Sequence, residues 1–184
     1  MPEYRRTRVK GATYFFTVVT YQRRPVLCLP ESLDAMTDVI SNVAERHPFH
    51  TDAWVVLPDH MHFVWTLPEG DSNYSLRWAV VKKEVTKQLG PSMMDADTAR
   101  SQSRRRHREG TLWQRRFWEH QIRDEQDYQT HVDYIHFNPV KHGLTGSPKG
   151  WRCSSFHRWV ALGAYEKDWG CDGAVVFPDG VGGE

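Results

Sequence analysis

Two apolar runs lie almost end to end in this chain: residues 51–57, TDAWVVL, and residues 60–67, HMHFVWTL, with only Pro58 and Asp59 between them. Each run is short, rich in β-branched and aromatic residues, and reads as a strand. Pro-Asp is a turn signal, and a link that short joins antiparallel neighbours rather than parallel ones. Any fold for this chain must therefore contain this hairpin. Before it, residues 13–21, TYFFTVVTY, read as another strand. Pro25 and Pro30 break that pattern, and from Ser32 to His47 the apolar residues Leu33, Met36, Ile40, Val43 and Ala44 recur at helical spacing. Ser32 is the expected N-cap, and His47-Pro48 the stop. After the hairpin, residues 74–89, YSLRWAVVKKEVTKQL, predict a second amphipathic helix with Leu76, Val80 and Leu89 among its apolar positions, stopped by Gly90-Pro91. Residues 112–123 predict a short strand. Asp124 can cap a third helix with Tyr128, Val132 and Ile135 on one stripe, ending at Asn138-Pro139.

The order strand, helix, strand, strand, helix, strand, helix predicts an α+β domain with a ferredoxin-like or RRM-like antiparallel sheet and helices packed on one face. With 184 residues, 39% of them hydrophobic and 26% charged, the chain has enough material for a core without disulfides or metal staples. The expected organisation is one domain over residues 1–165, a mobile insertion over about 91–110, and a flexible acidic tail over 166–184. No apolar run has the length of a membrane span, and nothing near the N-terminus resembles a signal peptide, so the expected location is the cytoplasm, with no membrane partner. Cys28, Cys153 and Cys171 fit no zinc or redox spacing.

Net charge is only +1, but its distribution is uneven. Arg5, Arg6, Arg8 and Lys10 open the chain, and residues 100–116 hold seven arginines against the single acid Glu109. Such segments suit a phosphate-binding surface, and equally suit solvated basic loops.

Two constellations carry chemistry. His60 and His62 are two apart on a strand, so both imidazoles point to one face, opposite Met61, Phe63 and Trp65. They can form half of a metal site, or can be half-buried histidines bonded to neighbours. In the segment HVDYIHFNPVKHGL, Asn138 follows Tyr134 by one helical turn, so the phenol and the amide can reach a common point. The alternative is a packing tyrosine and a helix-terminating asparagine. A phenol is about 0.1% ionised at neutral pH and needs help to act as a nucleophile. A divalent cation supplies it by polarising a phosphate.

The segments EYRRTRVKGATYFFTVVT, WVVLPDHMHFVWTLPEGD, KKEVTKQLG, LWQRRFWEH and HVDYIHFNPVKHGL, in this order, resemble the REP-associated tyrosine transposases, within the HUH single-strand transposases that use one catalytic tyrosine. The likeness runs from about Glu3 to about Arg158. It implies cleavage and rejoining of single-stranded DNA at repetitive extragenic palindromic hairpins through a 5′-phosphotyrosine intermediate. It places the HUH histidines at His60 and His62, the nucleophile at Tyr134 and a third metal ligand at Asn138, with Mg²⁺ or Mn²⁺ as cofactor. It also implies a bacterial, nucleoid-associated protein acting as a monomer. Arg5, Arg6, Arg8, Lys10, Arg115 and Arg116 are the expected phosphate contacts. Trp118, with Trp113, Phe117 or Trp151, is an expected stacking surface for unpaired bases. Two rival readings use the same residues differently: a hairpin-binding protein without catalysis, and a metal-dependent hydrolase in which water attacks and Tyr134 orients the substrate.

Overall fold

The computed structural model describes residues 7–90, 93, 111–172 and 175–183. The expectations for Arg5 and Arg6, and nearly all of the expected insertion at 91–110, lie outside the described residues.

Four strands form one antiparallel sheet: β1 (Thr13–Val19), β2 (His50–Val56), β3 (His60–Thr66) and β4 (Trp118–Gln121), in the spatial order β2-β3-β1-β4. The Pro58-Asp59 turn joins β2 to β3 as the sequence requires, and Thr20 N donates to the Asp59 carbonyl at 2.8 Å, tying that turn to the end of β1. Helices α1 (Pro30–Arg46) and α2 (Tyr74–Leu89) provide the two crossovers, which completes the ferredoxin-like order.

α1 begins earlier than expected. Pro30 stands at its first position with Leu29 as N-cap, and Ser32 is buried inside the helix. Proline has no N–H to leave unsatisfied there and its φ is already helical, so it starts a helix as well as a capping hydroxyl does. α2 packs through Tyr74, Trp78, Val81 and Val85, spaced four, three and four apart, while Leu76 is 43% exposed. Asn73 caps it by accepting from Leu76 N. Arg77 is buried on the same helix. Its guanidinium donates to the His47, Pro48 and Asn73 carbonyls and to Asp71 Oδ2, so it joins the α1–β2 turn to the start of α2.

The expectation of helices on one face is corrected. α1 and α2 cover the face carrying Tyr14, Phe16, Met61, Phe63 and Trp65. A third helix, α3 (Glu125–Lys141), and a short fourth, α4 (Phe156–Ala161), cover the other face, against Phe15, Ala53, Val55 and Val64. Every residue from His60 to Trp65 is buried, so β3 is enclosed on both sides. A strand with apolar residues on both faces requires two covering layers.

α3 is capped by Asp124, whose carboxylate accepts from Asp127 N at 2.8 Å. It does not stop at Asn138-Pro139 but continues to Lys141, with His142 N bonded to the Asn138 carbonyl. A proline this close to the end forfeits a single backbone bond, and the last turn survives. The segment after β4's predicted start is also shorter than expected: β4 is four residues, and Trp113 makes only an isolated bridge to Thr20. The C-terminal residues return to the second face, where Tyr165, Trp169, Phe177 and Val181 pack on the α3 cluster.

Candidate active site

The strand register sets the site. Thr17 on β1 lies opposite His62 on β3 and opposite Trp118 on β4, while Val55 on β2 pairs with His62 from the other side. This row, Val55–His62–Thr17–Trp118, crosses the second face of the sheet. His60 is paired with Val19, one step nearer the turn. His60 and His62 project together, as the strand period requires, with ring centroids 5.1 Å apart.

Each imidazole is held from behind. His60 Nδ1 is 2.6 Å from Asp59 Oδ1, and His62 Nδ1 is 3.0 Å from Thr17 Oγ1. Burial pushes the Asp59 carboxyl up, but its hydrogen bonds to His60 and Arg23 outweigh that and hold it below the ordinary carboxylate range. A histidine fixed through Nδ1 is oriented to offer Nε2, the arrangement in which protein imidazoles bind cations.

α3 lies across these histidines. Positions 134, 138 and 142 follow one another by one turn each, so they form a single rail along the helix. At one end the Tyr134 ring meets His62 at 5.4 Å, edge to face. At the other end His142 meets His60 at 5.0 Å. Asn138, fully buried, stands midway on the same rail by helical spacing. Two imidazoles and one amide oxygen are a mixed nitrogen–oxygen donor set, a chemistry that suits Mn²⁺ or Mg²⁺.

Tyr134 is only 1% exposed. Its hydroxyl accepts a hydrogen bond from Lys141 Nζ at 2.7 Å. Phe177 packs edge-on against its ring at 5.3 Å. Gly182 lies directly over the phenol, where a β-carbon would collide with the hydroxyl, and its φ of +95° is one that glycine tolerates and other residues resist. Thr17 Oγ1 donates to the Gly182 carbonyl. The C-terminal residues thus cover the tyrosine rather than extending away from the domain.

Beside this cover, Thr17, Gln114, Arg116, Phe117, Trp118 and Gly183 line a groove of about 580 Å³. Arg115 and Arg116 are exposed at the same end of β1, since Gln114 N bonds to the Val19 carbonyl. Arg8 and Lys10, also exposed, precede the opposite end of β1, roughly 20 Å away along a seven-residue strand. Of the expected stacking aromatics, Trp118 is half-buried on the groove. Trp113 is not available: it is 7% exposed in the first core, with Nε1 donating to the Lys82 carbonyl. Trp151 is half-buried and its Nε1 donates to the Val56 carbonyl. At both positions a helix or strand carbonyl accepts the indole N–H.

Sequence reasoning passed over three features. Lys141 and His142 sit seven and eight residues after Tyr134, and helical spacing alone could have placed them on its side. The cover by residues 177–183 left no periodic signal. The third is a cluster of His120, Asp127 and His131, whose ligand atoms lie within 4.8 Å of one another. Its carboxylate is already engaged by Arg123 Nε at 2.9 Å and His120 Nε2 at 2.8 Å. Burial opposes the charge on Asp127, yet these bonds hold its carboxyl far below the usual range.

No protein-family model matches the chain. It is 45% identical over 172 residues to the REP-associated tyrosine transposase of Escherichia coli K12, covering 94% of this chain and 93% of that one. It is 43% identical over 170 residues to a Haemophilus influenzae protein of the same description, covering 92% and 94%. Among solved structures it resembles a REP-associated tyrosine transposase bound to a REP hairpin, with a TM-score of 0.76, 41% identity, and coverage of 97% of this chain and 94% of the other. Among the described residues, no helix is long and apolar enough to cross a membrane.

Proposed function

This chain belongs to the REP-associated tyrosine transposases, and from that premise we propose that it cleaves and rejoins single-stranded DNA at REP-type hairpins, with Tyr134 as nucleophile. The observation that carries the assignment is the meeting of α3 with β3, in which one helix rail brings Tyr134 to His62 and His142 to His60.

His60, His62 and Asn138 would hold the cation, with Mn²⁺ bound more tightly than Mg²⁺ because two donors are imidazoles. When bound, the cation supplies polarisation of the scissile phosphate and stabilises its developing charge. The protein's own groups do the rest. Tyr134 Oη attacks phosphorus, the bond to the 3′ oxygen breaks, and the DNA 5′ end remains on the tyrosine. The 3′ oxygen leaves as a hydroxyl, and the phosphotyrosine bond keeps the energy for rejoining. Asp59 and Thr17 keep the two imidazoles in register throughout.

Arg115 and Arg116 stand where they can hold phosphates near the reacting strand, and Trp118 where it can stack an unpaired base in the groove. Arg8 and Lys10 reach only phosphates farther along the hairpin. Arg5 and Arg6 belong to the same basic segment. The site needs no second subunit, because Tyr134 faces the histidines of its own sheet. A monomer is therefore sufficient.

The test is a covalent adduct. Incubation with labelled single-stranded hairpin and Mn²⁺, followed by a denaturing gel, should trap DNA on the wild type and none on Tyr134→Phe, which lacks only the hydroxyl. A DNA-linked peptide containing any other tyrosine overturns the assignment. Cleavage without an adduct in the wild type favours attack by water.

A further inference from the structure

We propose that Lys141 is a further catalytic residue, one that carries the negative charge on the Tyr134 oxygen during both cleavage and rejoining. The proposal rests on the reading of Tyr134 as nucleophile.

Lys141 follows Tyr134 by seven residues, two helical turns less about 20°, so the side chains lie on nearly one line of α3. The contact is direct: Nζ is 2.7 Å from the phenolic oxygen and 4.7 Å from the ring centroid. Lys141 also occupies the last turn of α3, where the helix dipole favours a cation. Lys141 is itself exposed, but its head reaches the hydroxyl of a ring that packs on His62 and Phe15 of the sheet. A hydrogen bond beside that packed face is less screened than one in open solvent.

The chemistry follows from what an ammonium can do. It donates and cannot accept, so this contact does not take the phenol's proton. It favours whichever state puts negative charge on Oη. In cleavage, the Oη–P bond forms as the P–O3′ bond breaks, the phenol proton passes to solvent, and the departing 3′ oxygen takes one up. Lys141 favours the nucleophile as the charge gathers before attack. In rejoining, the 3′ hydroxyl oxygen of the incoming strand attacks phosphorus and loses its proton. The P–Oη bond then breaks and its electron pair stays on the phenolate oxygen. There the ammonium is already in hydrogen-bonding position, so the leaving group departs into a preorganised donor.

A packing role for the same side chain is the alternative, with the ammonium resting on the ring and the stem shielding it. The two differ in what they predict for the oxygen. Lys141→Met keeps the stem and removes the charge, and Lys141→Arg keeps the charge.

The experiment measures adduct formation on labelled hairpin, and strand joining from the isolated adduct on addition of a 3′-hydroxyl strand, for the wild type, both Lys141 variants and Tyr134→Phe, with hairpin affinity and thermal stability measured in parallel. Lys141→Met is expected to slow both half-reactions by roughly 10²-fold, as loss of a preorganised donor does, with hairpin affinity unchanged. Lys141→Arg is expected to retain most of the rate. Placing 3,5-difluorotyrosine at position 134, whose oxygen bears charge more readily, should shrink the Lys141→Met defect. Wild-type rates in Lys141→Met overturn the proposal, as does a defect that tracks lost stability and ignores fluorination. If Lys141→Met does not fold, an Arg variant that folds but is as slow as Tyr134→Phe overturns it also. An absent wild-type adduct sinks the nucleophile reading itself, and this proposal with it.

Discussion

Deleting residues 175–184 should make the proposed reaction faster, because Phe177 and Gly182 lie over Tyr134. What holds it can be counted. Phe177 packs against Tyr134 and Phe137, Val181 joins the same cluster, and Thr17 Oγ1 donates to the Gly182 carbonyl. Two half-buried apolar side chains contribute about 1 kcal/mol each, and a buried hydrogen bond about 1 kcal/mol more. The total is about 3 kcal/mol, an upper bound because ordering the backbone opposes it. The covered state is therefore favoured by at most about 3 kcal/mol, a ratio of roughly 10². Initial rates of hairpin cleavage, measured at saturating substrate and Mn²⁺, should rise on deletion by between a few-fold and roughly 10²-fold. Gly182→Ala gives an independent route to the same state. Its β-carbon would strike the Tyr134 hydroxyl and its φ of +95° is strained for alanine, so the segment should be expelled without being removed. Equal rates in full-length and truncated protein would refute the reasoning. So would a truncated protein that folds but no longer forms the adduct, since that would make the segment part of the machinery rather than its cover.

Two further outcomes follow from the same geometry. His62→Ala should lose Mn²⁺ binding, measured by calorimetry on the protein alone, and lose cleavage, while keeping most hairpin affinity, because phosphate contacts elsewhere supply that affinity; normal cleavage at saturating Mn²⁺ would remove His62 from the cation site. His136, buried against Phe156, Trp159 and Tyr165, is held neutral by burial, which pushes its pKa down to about 3. The unfolded chain takes up this proton near pH 6.5 and the folded chain does not. Stability from this group is therefore complete above about pH 6.5 and falls as pH drops toward 3, by about 1.4 kcal/mol per unit. Urea melts of the wild type and His136→Gln between pH 7 and 5 should show the wild type losing stability more steeply; parallel curves would contradict it.

The sequence made some of this plain and hid the rest for physical reasons. A two-residue link between apolar runs permits one arrangement, so the β2–β3 hairpin was legible to within a residue. So was the shared direction of His60 and His62, because a strand's period is two without exception. The number of covering layers was harder. β3 is buried on both sides, yet one side carries histidines, and polar residues read as a solvent-facing edge until the element that encloses them is known. α2 spans the expected residues, but its buried positions are Tyr74, Trp78, Val81 and Val85, while the apolar Leu76 is exposed. Arg77, among them, is buried because four acceptors converge on it from two segments, residues 47–48 and 71–73, which no local pattern records.

The site itself divides in the same way. Tyr134 and Asn138 could be linked from their spacing, and the resemblance gave them roles, but the proline after Asn138 argued that the rail ended there. Because the helix runs on through Pro139, Lys141 and His142 fall on the same side as Tyr134, and the end of α3 reaches both the phenol and His60. The far face of the sheet explains why such a rail can be held in place. Trp65 and Trp78 stack there at 4.1 Å and 11°, and Tyr14, Phe16 and Phe63 fill the space around them. A core of large rings has few ways to repack, so β1 and β3 are fixed from behind, and the row from His62 through Thr17 to Trp118 inherits that rigidity. The covering residues 177–183 have no such backing. They rest on the site through Phe177, Val181 and two glycines, and so can leave it while the histidines and the tyrosine keep their positions.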